Sequence, residues 1–189
     1  MNEERSPIVV DIDSELNALR NLLVRNKQRL VLVESCTAGL LSALLGKIPG
    51  ISDVLCGSLV VYRNDSKHHW LGIDRETLEE PDIGPVSQRV TEELARAALN
   101  RTPEASVAAA ITGHLGPNAP ADLDGRVFTC VIRRDAIEAI QSTRHQLTSE
   151  PPQDSEDWKA RQLRQTEATE RFLREIRITL ERLSHHVDR

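Results

Sequence analysis

Leu30-Val31-Leu32-Val33-Glu34-Ser35-Cys36-Thr37-Ala38-Gly39-Leu40-Leu41-Ser42-Ala43-Leu44-Leu45-Gly46 decides the fold. The first four residues are apolar without interruption and partly β-branched, which predicts a buried strand over 30–34. Leu40, Leu41, Leu44 and Leu45 share one side of a helix, predicted over 37–46 and stopped by Pro49-Gly50. Between strand and helix lies a polar hinge carrying a carboxylate, two hydroxyls, a thiol and a glycine. A serine or cysteine there can stand beside unpaired backbone N–H groups able to hold an oxyanion, with Cys36 and Thr37 as the donors at a helix N-terminus. The same residues also suit a plain helix start, with Ser35 or Thr37 capping and Gly39 allowing close packing.

Working outward, the chain alternates helices and strands. Ile12, Leu16, Leu19 and Leu23 form one helical face, so a helix capped by Asp13 runs to about Lys27. Ile8-Val9-Val10 is a short edge strand or a tether, after a loose arm over 1–7. A strand over Cys56–Tyr62 leads to a short helix capped by Asn64 and ended by Gly72; Asp74 caps another turn. Ser87 caps a helix from 88 to about 100. Ala105–Ile111 is small and apolar, as an interior strand is, and Thr112–Gly125 is a loop. Val127–Ile132 is a strand, Arg133-Arg134-Asp135 its turn, and Ala136–Leu147 the partner strand. A polar linker over 148–157 precedes a long helix to Leu183. Its inward stripe is Leu163, Thr166, Thr169 or Glu170, Leu173, Ile176, Leu180 and Leu183, and the tail 184–189 frays. The order predicts an α/β sandwich, three-layer-like, with a mixed parallel and antiparallel sheet in a single domain over 1–189.

Composition narrows the function. Of 189 residues 39% are hydrophobic but only 3% aromatic, so the core is aliphatic. The net charge of -5 argues against nucleic acid as the main partner. Three scattered cysteines at 36, 56 and 130 make no disulfide framework and suit a reducing compartment. No signal peptide and no run of transmembrane length is visible, so the expectation is a cytoplasmic protein without a membrane partner. No close Cys pair supports a metal site, and no G-x-G-x-x-G follows the first strand. Cys36 remains an alternative nucleophile to Ser35. Four polar segments end elements: Glu34–Thr37, Tyr62–Lys67, Gly84–Ser87 and Thr112–Pro117. Crevices at strand ends in α/β folds collect such segments.

In order and spacing, Glu34-Ser35-Cys36-Thr37-Ala38-Gly39, Val61-Tyr62-Arg63-Asn64-Asp65-Ser66-Lys67, Gly84-Pro85-Val86-Ser87 and Ile111-Thr112-Gly113-His114-Leu115-Gly116-Pro117 resemble the motifs of the CinA C-terminal domain family, over about residues 13–180. That family includes nicotinamide-nucleotide amidases, also called nicotinamide mononucleotide deamidases. The resemblance implies a cofactor-free hydrolase in its stand-alone form, which turns nicotinamide mononucleotide into nicotinate mononucleotide and ammonia, and a homodimer or higher homo-oligomer. Ser35 is similar to the family nucleophile, Lys67 to the base that activates it and Tyr62 to the tyrosine beside them. A serine hydroxyl needs such a base, and a lysine serves only if its pKa is lowered. The substrate-binding set implied is Glu34, Cys36, Thr37, Gly39, Thr112, Gly113, Arg161 and Arg164, with Glu34 a structural carboxylate rather than the base. The alternative is a CinA-like domain without the amidase, binding a nucleotide or a protein partner. Four departures motivate it. Ala38 stands where the family has Gly. His114-Leu115 replaces a common Ile-Ala pair. The loop over 118–126, with Gly125 alone, departs from the family's glycine-rich loop, and Arg161 lacks the glycine that precedes the family's arginine.

Overall fold

The computed structural model describes residues 11–136, 140–150 and 156–184. Its centre is a five-stranded sheet built from β1 (Leu30–Glu34), β2 (Leu55–Val60), β3 (Val107–Gly113), β4 (Arg126–Arg133) and β5 (Gln141–Gln146). The spatial order is β2-β1-β3-β4-β5. β1 is parallel to both its neighbours, whereas β3–β4 and β4–β5 are antiparallel, so the sheet is mixed as the element order predicts.

Helices cover both faces. α1 (Ile12–Arg25), α2 (Leu40–Leu45) and α6 (Asp157–Ser184) lie on one. α3 (Asn64–Leu71), α4 (Arg75–Glu79) and α5 (Gln88–Arg101) lie on the other. β1 shows how the layers are sorted, because side chains alternate along a strand. Leu30 and Leu32 join the core under α1 and α6, and Val31 and Val33 join the core under α5. In β3 the run Ala108-Ala109-Ala110 is wholly buried, and these small side chains let helices approach on both sides. The result is a three-layer α/β sandwich.

Several boundaries differ from those read in the sequence. Asp11, not Asp13, caps α1: its carboxylate accepts from the N–H of Asp13. α2 begins at Leu40, because Ala38 and Gly39 both hold positive φ, 53° and 91°, which no α-helix contains. Gly39 has Val60 Cγ2 3.3 Å from where a Cβ would stand, so both its φ and its space favour glycine. Thr112 and Gly113 belong to β3 rather than to a loop. β5 covers only the end of the segment read as a strand, and residues 137–139 lie outside the described residues, as do 1–10, 151–155 and 185–189. The buried stripe of α6 is Ala168, Thr169, Phe172, Leu173, Ile176, Thr179 and Leu180. Leu163 is 43% exposed and Thr166 is exposed too, because the first turns of α6 overhang an opening rather than the core. The side chain of Leu183 lies outside the described residues.

Candidate active site

The opening lies at the carboxyl ends of β1 and β3, where the parallel strands finish and their connections diverge. A cavity of about 270 Å³ sits there, lined among others by Ser35, Cys36, Lys67, Gly113, His114 and Arg161. Tyr62, Asn64 and the Pro85-Val86 pair complete the side formed by α3 and the approach to α5.

Ser35 follows β1 directly. Its N–H donates to Ile111 O of β3 at 3.2 Å, and its carbonyl accepts from Ala38 N at 3.1 Å, so a tight turn leaves the strand at the serine. Lys67 lies in α3, whose first turn is closed by Ser66 Oγ meeting the N–H and the carbonyl of Arg63. That register points Lys67 inward. Lys67 Nζ donates to Ser35 Oγ at 3.3 Å, both side chains being buried. Burial pushes the Lys67 amine down to about 8, with the Cys36 thiol pulling weakly the other way. An amine at that value is free base in useful amount at neutral pH and can take a hydroxyl proton.

Cys36 also lines the cavity, but burial pushes its thiol up to about 12. Ser35, and not Cys36, holds the hydrogen bond to Lys67, which makes the serine the better nucleophile of the two. Gly113 is required by close approach: a Cβ there would collide with Val127 Cγ1 and stand 3.1 Å from Cys36 Sγ.

The other predicted residues divide. Tyr62 lies two residues past the end of β2 and is 53% exposed. Its hydroxyl accepts from Arg161 Nη2 at 2.7 Å rather than joining serine to lysine. Arg161 also donates from Nη1 to Gly116 O at 2.5 Å, so one guanidinium from α6 ties both rims of the cavity together. Arg164, one turn on, bonds Asp124 Oδ1 at 2.6 Å and lines a neighbouring cavity of about 490 Å³. Glu34, Thr37 and Thr112 are fully buried and line neither cavity. The Thr112 hydroxyl meets Thr91 Oγ1 on α5 at 2.8 Å. Glu34 accepts from Leu41 N at 3.1 Å, Ser42 N at 2.9 Å and Ser58 Oγ at 3.2 Å. The start of α2 is therefore filled by the chain's own carboxylate, and Cys36 and Thr37 sit in the preceding turn instead of at a helix N-terminus. Among the described residues no carbonyl accepts from the N–H of Cys36 or Thr37, and Thr37 Oγ1 is buried without a partner.

Sequence reasoning passed over three residues. Asn64 falls within the Tyr62–Lys67 motif with a capping role alone, yet it faces the cavity. His114 falls within the Thr112–Pro117 motif, marked there as a departure from the family pattern. Its backbone is clamped to Arg126 O at 2.9 Å and to Gly125 N at 3.0 Å, its ring lines the cavity, and burial pushes its imidazole down against the opposing pull of Asp122 and Asp124. Gln165 donates from Nε2 to Thr37 O at 2.8 Å, tying α6 to the nucleophile turn. No sequence signal marks a glutamine in a charged helix for that task.

Residues 13–163 match the CinA C-terminal domain. The chain belongs to the CinA C-terminal domain family. Among curated relatives, a CinA-like protein of Thermotoga neapolitana is 39% identical over 57% of this chain and 26% of its own length. One from Mycobacterium leprae is 46% identical over 48% of this chain and 20% of its own. The chain thus spans about a quarter of the length of the curated relatives it matches. Among solved structures, the competence/damage inducible protein CihA of Agrobacterium tumefaciens superposes with a TM-score of 0.77 at 26% identity, over 93% of this chain and 99% of that one. A CinA superfamily protein of Klebsiella pneumoniae gives 0.78 at 21% identity, over 92% and 99%.

Proposed function

We propose that this CinA-family chain is an amide hydrolase acting on a pyridine nucleotide, converting nicotinamide mononucleotide to nicotinate mononucleotide and ammonia. The observation that carries the reading is the buried Lys67–Ser35 pair at the cavity, with an amine whose pKa is brought to about 8. Neutral Lys67 takes the Ser35 proton as Oγ bonds to the carboxamide carbon. The oxyanion accepts from the N–H of Cys36, which lines the cavity, a donor of this kind being worth about 3 kcal/mol. The C–N bond then breaks, the nitrogen takes the proton held by Lys67, and ammonia leaves. Water attacks the ester carbon and gives its proton to Lys67. Oγ departs, recovers that proton, and the carboxylic acid is released.

Arg161 is the cation at the rim, and a guanidinium fork fits phosphate oxygens. A substrate phosphate would replace Gly116 O and the Tyr62 hydroxyl as its acceptors. This reading carries with it an association of copies of the chain, for which exposed Val60, Tyr62 and Trp70 beside edge strand β2 offer an apolar surface. Among the described residues no helix is long and apolar enough to cross a membrane. The test is ammonia release from nicotinamide mononucleotide beside Ser35→Ala. Release by the parent protein and loss in the folded variant supports hydrolysis. Equal, background-level release from both, with the nucleotide still bound, favours a binding domain.

A further inference from the structure

The Ser35 turn is held by a residue the hydrolysis scheme does not use. Glu34 is the last residue of β1 and is fully buried. One carboxylate oxygen receives Leu41 N, and the other receives Ser42 N and Ser58 Oγ. The carboxylate thereby bolts three elements together: β1, β2 through Ser58, and the first turn of α2. Ser42 Oγ donates to Gly39 O at 2.9 Å and closes the same loop from its far end. Ser35 lies inside this enclosure, with its own N–H fixed to Ile111 O.

We propose that Glu34 is a positioning residue for the amide hydrolysis. By filling the α2 N-terminus from within, it sets Ser35 Oγ against Lys67 and keeps Leu41 and Ser42 from competing for the acceptors that shape the 35–39 turn. The inference rests on the reading given under Proposed function. It explains two features together. The helix start beside the nucleophile, the usual anion site after a first strand, is closed to a substrate phosphate, which leaves Arg161 on the opposite rim to receive it. Among the described residues the N–H groups of Cys36 and Thr37 have no carbonyl acceptor, and the helix start beside them is held by Glu34 rather than by the turn itself.

Glutamine at this position separates charge and geometry from bulk. Whichever way its amide is turned, its NH2 faces either Leu41 N–H or Ser42 N–H, donor against donor, so one link must open. Ser58→Ala removes the third donor and leaves the two backbone links in place. The experiment measures ammonia release, calorimetric affinity for nicotinate mononucleotide, and the rate at which a fluorophosphonate phosphonylates Ser35 Oγ with loss of fluoride, read by intact mass. We expect Glu34→Gln to lower kcat and the labelling rate by about 10- to 100-fold, with KM and product affinity within threefold of the parent protein. Ser58→Ala lowers both rates about threefold and carries the test by itself if the glutamine variant does not fold. Labelling and kcat within the parent range in folded variants overturn the proposal. So does a fall in rate matched by an equal loss of product affinity, which marks general collapse of the site, and so does a parent Ser35 that takes no label. A parent protein that labels in the graded order yet releases no ammonia leaves Glu34 in place and removes the nucleotide reading instead.

Discussion

The two walls of the cavity are built in different ways. The wall bearing Ser35 and Lys67 is made of buried atoms: a turn bolted by Glu34, a lysine enclosed under α3, and Gly113 pressed against Cys36. The facing wall, formed by the 114–125 loop and the start of α6, is tied to the rest of the rim by side-chain bonds. Arg161 links Tyr62 to Gly116, and Arg164 links to Asp124. Buried, fully bonded groups keep their geometry, whereas bonds at the rim exchange readily for water or ligand. The contrast teaches a division of labour in which the first wall sets the chemical step and the second sets affinity.

The strongest way to break this comparison is Ser35→Ala. It should cost about a thousandfold or more in kcat and leave nucleotide affinity nearly unchanged. Lys67→Met should fall about as far in ammonia release, while its melting temperature holds or rises, because burying an amine is costly and burying a thioether is not. The pH profile sharpens the same point. The base must be the neutral amine, so kcat/KM should climb tenfold per unit below about 8 and level off above it. That limb should survive in Arg161→Ala, whose effect belongs to the other wall: KM up about tenfold, kcat within a fewfold. If Arg161→Ala lowers kcat and leaves KM alone, the division fails. The smallest effect is Ala38→Gly. Ala38 is exposed and left-handed, with φ 53°, so glycine should stabilise the fold by about 1 kcal/mol, read as a shift of a few degrees in thermal unfolding.

Much of the architecture could be read from the chain because its strongest periodicities are honest reports of burial. The apolar run 30–33, the face of α1 and the run Leu173, Ile176 and Leu180 of α6 correspond to buried groups in the fold, and Ser87 caps α5 through Val90 N. The nucleophile turn was harder. Ala38 carries no mark of a left-handed backbone, so the apolar pattern places the helix start three residues before Leu40. Glu34 bonds backbone seven and eight residues ahead, beyond any local capping rule. β5, Gln141–Gln146, is a polar edge strand with little to bury, and its ends could not be fixed by hydrophobic alternation. Of the site, the sequence motifs led to Ser35, Lys67, Tyr62, Gly113 and Arg161, which share one cavity. Thr112 and Glu34 sit behind it because residues at the ends of buried strands alternate between facing the opening and facing the helices, and Thr37 sits behind it in the turn under α6.

The bond from Gln165 to Thr37 joins positions 128 residues apart. A growing polypeptide therefore leaves the ribosome with all five strands already made while the cleft still lacks the helix that closes it. The serine and lysine can meet early in synthesis, but the arginine rim arrives last, so a nascent or C-terminally truncated chain would hold its reactive pair without the means to select what reaches it.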